Sequence, residues 1–342
     1  MSSVSPVASL CRRIDEVLRP LIPDGAACAL VEFPDYGNVG DSAIWLGERR
    51  WLRRSGIRTA YGCTIETYDR ELLAARVADG VILLQGGGNL GDLWPHHQRF
   101  RERVIADFPD RRIVQLPQTI TFQDSENLRR ARAVFDAHPN LVLLVRDRRS
   151  LDLARSEFRA TSLLCPDMAL VLGNLRRPAQ PEVDVLLLAR SDKETRGALP
   201  GIEEPGVERL DWRCDQASRL VAAARLTTRQ TARRGRSVGP AWALQAWLFD
   251  LIAGHRLERG CRTLSRGRVV ITDRLHGHIL CLLLGIPHVL LDTRFGKLKA
   301  FHETWTQGCA LTHWANSPEE ALAKARTLAS GPVGGWAPAP RR

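Results

Sequence analysis

Positions 271–278 read ITDRLHGH, an acidic, a basic and two imidazole side chains set between the apolar runs RVVITD (268–273) and ILCLLLGIP (279–287). Charged groups are costly to bury unless they are paired, so this octet is expected where a buried strand leaves its sheet and meets a ligand. Asp273 and Arg274 end the strand, His276 follows in the loop, and Gly277 permits close approach to a helix expected to begin near His278. Arg274, His276 and the N–H groups of that helix start form an anion clamp in this reading, and a histidine there can also move a proton near neutral pH. An Asp273–Arg274 structural bridge would explain the pair but not His276.

The same strand-to-helix junction recurs along the chain in both directions. Downstream, PHVLLD (287–292) and CALTHW (309–314) read as further strands, and upstream VDVLLLAR (183–190) does. Long helical segments such as PAWALQAWLFDLIAGHRLERG lie between VDVLLLAR and RVVITD. Before the Pro-broken linker GNLRRPAQPEVD (173–184), strands are expected at AACALVEF (26–33), VILLQ (81–85), RIVQLP (112–117), LVLLVRD (141–147) and SLLCP (162–166). Helical stretches such as DSAIWLGERRWLRRSG and ENLRRARAVFDAHP alternate with them. The pattern predicts an α/β protein of two Rossmann-like, doubly wound domains, residues 1–178 and 179–342, facing each other across a cleft with ligands at the carboxyl ends of the strands.

Composition narrows the partners. A hydrophobic content of 44% with 25% charged residues belongs to a globular chain. MSSVSPVASLCRRIDEVLRPLIP has no continuous apolar core, and ILCLLLGI is about half a membrane span, so a cytoplasmic location is expected. The cysteines are scattered singly without zinc spacing, as expected of reduced core thiols, and no metal site is predicted. The net charge of +11 is carried almost wholly by arginine, since only Lys193, Lys297, Lys299 and Lys324 are lysines. It favours anionic partners. TTRQTARRGR (227–236) is the one dense basic stretch, and without interleaved aromatics it does not suggest nucleic-acid binding. It reads either as a solvated face or as a contact for anionic lipid.

Three further segments carry chemistry. EFPDYGNVGDSAIW (32–45) places Gly37 and Gly40 in a tight turn, Asn38 at a position tolerant of positive φ, and Asp41 or Ser42 as helix cap. LLQGGGNLGDLWPHHQRF (83–100) follows a buried strand with three glycines and then His96 and His97, candidates for acid/base work. GGGNLG fits the dinucleotide fingerprint poorly, and no acidic residue ends the next strand to hold a ribose. LVLLVRDRRS puts Arg146 at a strand end, where it would hold a phosphate or carboxylate or form an ion pair, with Asp147 or Ser150 capping the next helix.

YGNVGDSAIW, QGGGNLGDLWPHH, VRDRRS and TDRLHGHILCLLLGIPHVLLD, in this order from about residue 30 to about residue 315, resemble the polysaccharide pyruvyl transferases. The resemblance implies a fold like the two-domain GT-B glycosyltransferases. It implies transfer of a pyruvyl group from phosphoenolpyruvate (PEP) to a sugar of an exopolysaccharide, or of its lipid-linked precursor, as a cyclic ketal. Carried over, the RD motif gives Arg146, and the RLHG motif gives Arg274 and His276, as the PEP-binding set. His97, or next His96, becomes the acceptor-side acid/base group, with Asn38, Asp41, Gly87, Gly88 and Asn89 lining the acceptor side. No cofactor is implied, PEP being the donor substrate. A lipid-linked acceptor would draw the protein to the inner face of the plasma membrane. Two other readings compete: a GT-B glycosyltransferase using a nucleotide sugar, for which Asp292 and Glu303 are loose ribose-binding candidates, and a basic scaffold or nucleic-acid binder that has lost catalysis.

Overall fold

ACALV, the segment Ala27–Val31, forms a strand whose residues from Cys28 onward are all fully buried. A run apolar on successive positions rather than alternate ones needs cover on both faces, which a parallel sheet flanked by helices provides. The computed structural model describes residues 6–190, 194, 206–212, 226 and 239–331. Within them lie two parallel sheets, and the chain divides into two compact units. The first unit comprises Met1–Gly173, Arg213–Leu257 and Ala300–Trp305, and the second Asn174–Trp212, Glu258–Lys299 and Thr306–Arg342.

In the first unit, helix α1 (Pro6–Leu18) precedes the sheet. Its strands are β1 (Ala27–Val31), β2 (Arg58–Cys63), β3 (Val81–Leu84), β4 (Gly87–Gly91), β5 (Ile113–Thr121), β6 (Leu141–Val145) and β7 (Thr161–Leu164). They run in the order β2-β1-β3-β5-β6-β7, with β4 also paired to β5. Helices α2 (Val39–Arg54), α3 (Arg70–Val77), α4 (Pro95–Asp107), α5 (Ser125–Asp136) and α6 (Arg148–Glu157) connect them. One face of the sheet packs Ala29, Val31, Ile82, Leu84 and Leu143 against Leu73, Val104 and Phe135. Helix α7 (Gly239–Ser265) belongs to this unit as far as Leu257. Here the Arg49–Asp250 ion pair and stacking of Phe249 on Phe33 at 4.1 Å hold it.

The second unit has β8 (Val183–Leu188), β9 (Val207–Leu210), β10 (Gly267–Thr272), β11 (His288–Leu290) and β12 (Thr312–Trp314), ordered β12-β11-β10-β8-β9. Helices α8 (Leu275–Leu284), α9 (Lys297–Phe301) and α10 (Pro318–Ser330) follow β10, β11 and β12. Val185, Leu187, Ile271 and Val289 pack on Ala321 and Ala325 of α10.

Both sheets change direction once. β1 has β2 on one side and β3 on the other, and β8 lies likewise between β9 and β10. Each pair of diverging connections opens a crevice beyond the strand ends, the usual ligand position in such sheets. Glu32 and Gln85 stand at the first of these switch points, Arg190 and Asp273 at the second.

Three sequence expectations change. GGGNLG is not wholly a loop: Gly87–Gly91 is a strand, and it runs so close to β5 that a Cβ on Gly91 would sit 2.0 Å from the Thr121 carbonyl oxygen. The first Gly-rich turn ends earlier than expected, because Asn38 itself caps α2 by accepting the Gly40 N–H, with φ of −103°, while Asp41 lies in the first helical turn. Helix α8 begins at Leu275 with Arg274 as its N-cap, so His276 lies in the first turn of the helix rather than in a loop. Residues 227–236 lie outside the described residues.

Candidate functional site

At the first switch point, the side chains of two loops converge. His97, buried in the first turn of α4, places Nδ1 2.6 Å from Oε1 of Glu32, the residue that follows β1. Arg101, one turn further along α4, donates to the same carboxylate at 3.0 Å. It also donates to the Asn89 carbonyl at 3.0 Å and to Asn89 Oδ1 at 2.6 Å. Asn89 is thereby held from one side by Arg101 and from the other by Gln118 Nε2 at 2.9 Å. Asn38 and Tyr36 both donate to Asp41 Oδ2, at 2.7 and 2.8 Å. Gly87 adopts φ of +138°, and a Cβ there would lie 3.6 Å from Asp41 Oδ1. His96 is exposed, its ring centroid 4.0 Å from that of His97. Beneath the glycines, Glu48 accepts the Gly86 N–H at 2.8 Å. Burial pushes its carboxyl well above the usual range, against the pull of that hydrogen bond.

Arg146 occupies the end of β6. It donates to Asp167 at 2.6 Å and to Thr119 Oγ1 at 2.9 Å, and is buried. Its backbone N–H bonds Gln118, one residue removed from Asn89 in the hydrogen-bond chain. Asp147, not Ser150, caps α6. Trp305 donates to the Arg146 carbonyl at 2.8 Å, which ties the Ala300–Trp305 segment to this strand end.

The second switch point gathers paired charges. Arg274 donates to Asp211 at 2.6 Å and lies over the Trp212 ring at 5.9 Å. Arg190 and Lys297 share Glu194, each at 3.2 Å. The Arg190 N–H donates to Asp273 at 2.9 Å. Burial raises the Asp273 carboxyl from 3.8 to about 6, although Arg274 and Arg190 pull it down. His276 is half-buried in the first turn of α8. Gly277 allows α8 to rest on β10, since a Cβ there would meet Thr272 Oγ1 at 2.5 Å. Neighbouring His278 has a structural place: it bonds His288 at 2.7 Å and Thr306 at 2.9 Å, and His288 bonds the Ile286 carbonyl at 2.8 Å.

The structure thus gathers Asn38, Asp41, Gly87, Asn89 and His97 at one site and Arg274 and His276 at another. Sequence reading missed Glu32, Arg101, Arg190 and Lys297. Arg190 carried a visible signal, because it ends an apolar strand as Arg146 does.

The sequence profile of the polysaccharide pyruvyl transferase family matches residues 38–294, which include Asn38, Asp41, the Gly-rich strand, His97, Arg146, Arg274 and His276. The chain belongs to the polysaccharide pyruvyl transferase family. Among relatives, pyruvyl transferase 1 of Schizosaccharomyces pombe (strain 972 / ATCC 24843) is 34% identical over 308 residues, 83% of this chain and 70% of that protein. EpsO of Bacillus subtilis (strain 168), also named for pyruvyl transfer, is 32% identical over 317 residues, 91% of this chain and 95% of its own. A crystal structure of a functionally uncharacterised Klebsiella pneumoniae protein superimposes with a TM-score of 0.58 at 17% identity, covering 90% of this chain and 99% of that one. That likeness supports the two-domain, Rossmann-like fold. The chain is therefore a transferase of the pyruvyl type, and the family implies a polysaccharide acceptor.

Proposed function

We propose that the protein transfers the pyruvyl group of PEP to two hydroxyls of one sugar, forming a cyclic ketal and releasing phosphate. The observation that carries this reading is the second switch point, where Arg274 caps the N-terminus of α8 and the Arg190 N–H bonds the adjoining Asp273. PEP bears a phosphate and a carboxylate, and guanidinium groups with a helix N-terminus suit both. Arg146 is assigned to PEP on the family resemblance. Its ion pair with Asp167 would keep it oriented.

In this mechanism the imidazolium of His276 gives a proton to the methylene carbon of PEP, and the C=C electrons form the new C–H bond. The adjacent carbon becomes an oxocarbenium centre. One sugar hydroxyl attacks it and passes its proton to His97. The second hydroxyl then displaces phosphate, which leaves with the C–O electron pair, and gives its proton to His276, which gave one up in the first step; the ketal closes. Asn38, Asp41, Gly87, Gly88 and Asn89 are assigned to the acceptor side, with His96 as the neighbouring alternative to His97. We place the acceptor on a lipid carrier at an anionic membrane face.

Thermal-shift titration with PEP tests the reading. The wild type should be stabilised, by about 2.7 kcal/mol at 100 times Kd, and Arg274→Ala should lose the response. No response to PEP together with a clear one to UDP-sugars would overturn the assignment in favour of a glycosyltransferase.

A further inference from the structure

We infer that Glu32 is the positioning residue of His97, a role that rests on the reading of His97 as the acceptor-side base. His97 and Arg101 are four residues apart on α4 and so share one helix face, and both reach the same buried carboxylate. With Nδ1 2.6 Å from Oε1, the tautomer that this contact favours is the one whose Nδ1–H donates to the carboxylate. Nε2 is then left with its lone pair, the form a base must have to take a hydroxyl proton. The carboxylate also faces the positive charge that develops on the ring as it does so. Arg101, buried and fixed by two bonds to Asn89, supplies the cation that a buried carboxylate needs.

The backbone supports the assignment independently. Glu32 has φ of +75°, one of only two left-handed non-glycine residues among those described. This conformation is disfavoured for any residue with a Cβ and persists only where neighbours over-determine it. Phe33, immediately after, stacks on Phe249, and the Pro34 carbonyl accepts from Arg256 at 2.8 Å. The turn is clamped from both sides. A Glu32–Arg101 ion pair alone would give no reason for an imidazole nitrogen on the same carboxylate oxygen.

The test joins a spectrum to kinetics. Nitrogen-15 NMR of the wild type should show His97 as the Nδ1–H tautomer, and a proton on Nε2 instead would overturn the assignment without any variant. Phosphate release from PEP, with p-nitrophenyl hexopyranosides as acceptor probes, should fall at least roughly 10-fold in kcat for Glu32→Gln, and by no more than the roughly 10²–10⁴ that a positioned base contributes in full. KM for PEP should be unchanged, and Glu32→Asp should recover part of the rate. If His97→Ala keeps its turnover, the base assignment itself is wrong. If His97→Ala is inactive while Glu32→Gln retains wild-type kcat and tautomer, only the role of Glu32 falls. Should Glu32→Gln fail to fold, the wild-type spectrum decides.

Discussion

Asp273 is a carboxylate that the fold makes reluctant to ionise. Burial lifts its pKa from 3.8 to about 6, with Arg274 and Arg190 opposing. The folded protein therefore holds this proton more tightly than the unfolded chain does. The resulting stability is fully present below about pH 4 and is lost as pH rises through about 6, a loss of at most about 3 kcal/mol. Asp273→Asn keeps an acceptor for the Arg190 N–H and has no proton to lose. Urea midpoints measured from pH 4 to pH 7 should show the wild type falling relative to this variant, and a pH-independent gap would show that Asp273 ionises as freely in the folded state. The other buried carboxylates divide by partner. Glu48 lies under its glycines with its carboxyl pushed up by burial, whereas Glu32 has Arg101. Neither relation was visible in the sequence, because Glu32 and Arg101 are 69 residues apart and meet only when β1 and α4 share a sheet end. One clue was present: a lone Glu ending the apolar run ACALV must find a partner once buried.

At the scale of elements, the junction between β10 and α8 carries the tightest packing constraint at the second switch point. Thr272 Oγ1 donates to the Leu188 carbonyl and accepts the Arg274 N–H, and the absent Cβ of Gly277 leaves room for it. Gly277→Ala would improve helix propensity by about 1 kcal/mol. Its methyl would nevertheless displace Thr272 and press on Leu188 Cδ2 at 3.1 Å. Overpacking of this kind costs about 1–3 kcal/mol. The variant should thus be no more stable than wild type in urea and should show a smaller thermal shift with PEP, since Arg274 moves with the strand end. A clear gain in stability would mean that α8 can move off β10 without cost. The junction was legible in the sequence because both sides are continuous apolar runs. Nine strands were readable for the same reason, but RTAYGC (58–63), GGNLG (87–91) and VERL (207–210) were not. The first and last are edge strands with an exposed start or two charged residues between apolar ones, and the middle one is chosen by close approach to β5, which leaves no apolar signature.

For the whole molecule, charge is the property that exceeds what the catalytic reading requires. A net charge of +11 is far more than one PEP-sized anion needs. No helix among the described residues is long and apolar enough to cross a membrane. If the acceptor is carried on lipid, surface electrostatics and shallow apolar contacts can contribute to binding, each basic residue near an anionic surface adding about 1 kcal/mol. Helix α7 supplies apolar contacts of the right kind, with Leu244 and Trp247 exposed at positions three apart. The basic stretch 227–236 precedes them in the sequence. The expected result is co-flotation with phosphatidylcholine vesicles that contain phosphatidylglycerol, but not with phosphatidylcholine alone. Binding should weaken as salt shortens the screening length from about 30 Å at 0.01 M to about 8 Å at 0.15 M. Trp247→Ala should weaken flotation while leaving the PEP thermal shift intact, because Trp247 and Arg274 belong to different units. Absence of flotation at low salt would remove the membrane contact and leave the excess charge to a soluble anionic acceptor. Flotation that ignores salt would point to apolar insertion through α7 instead.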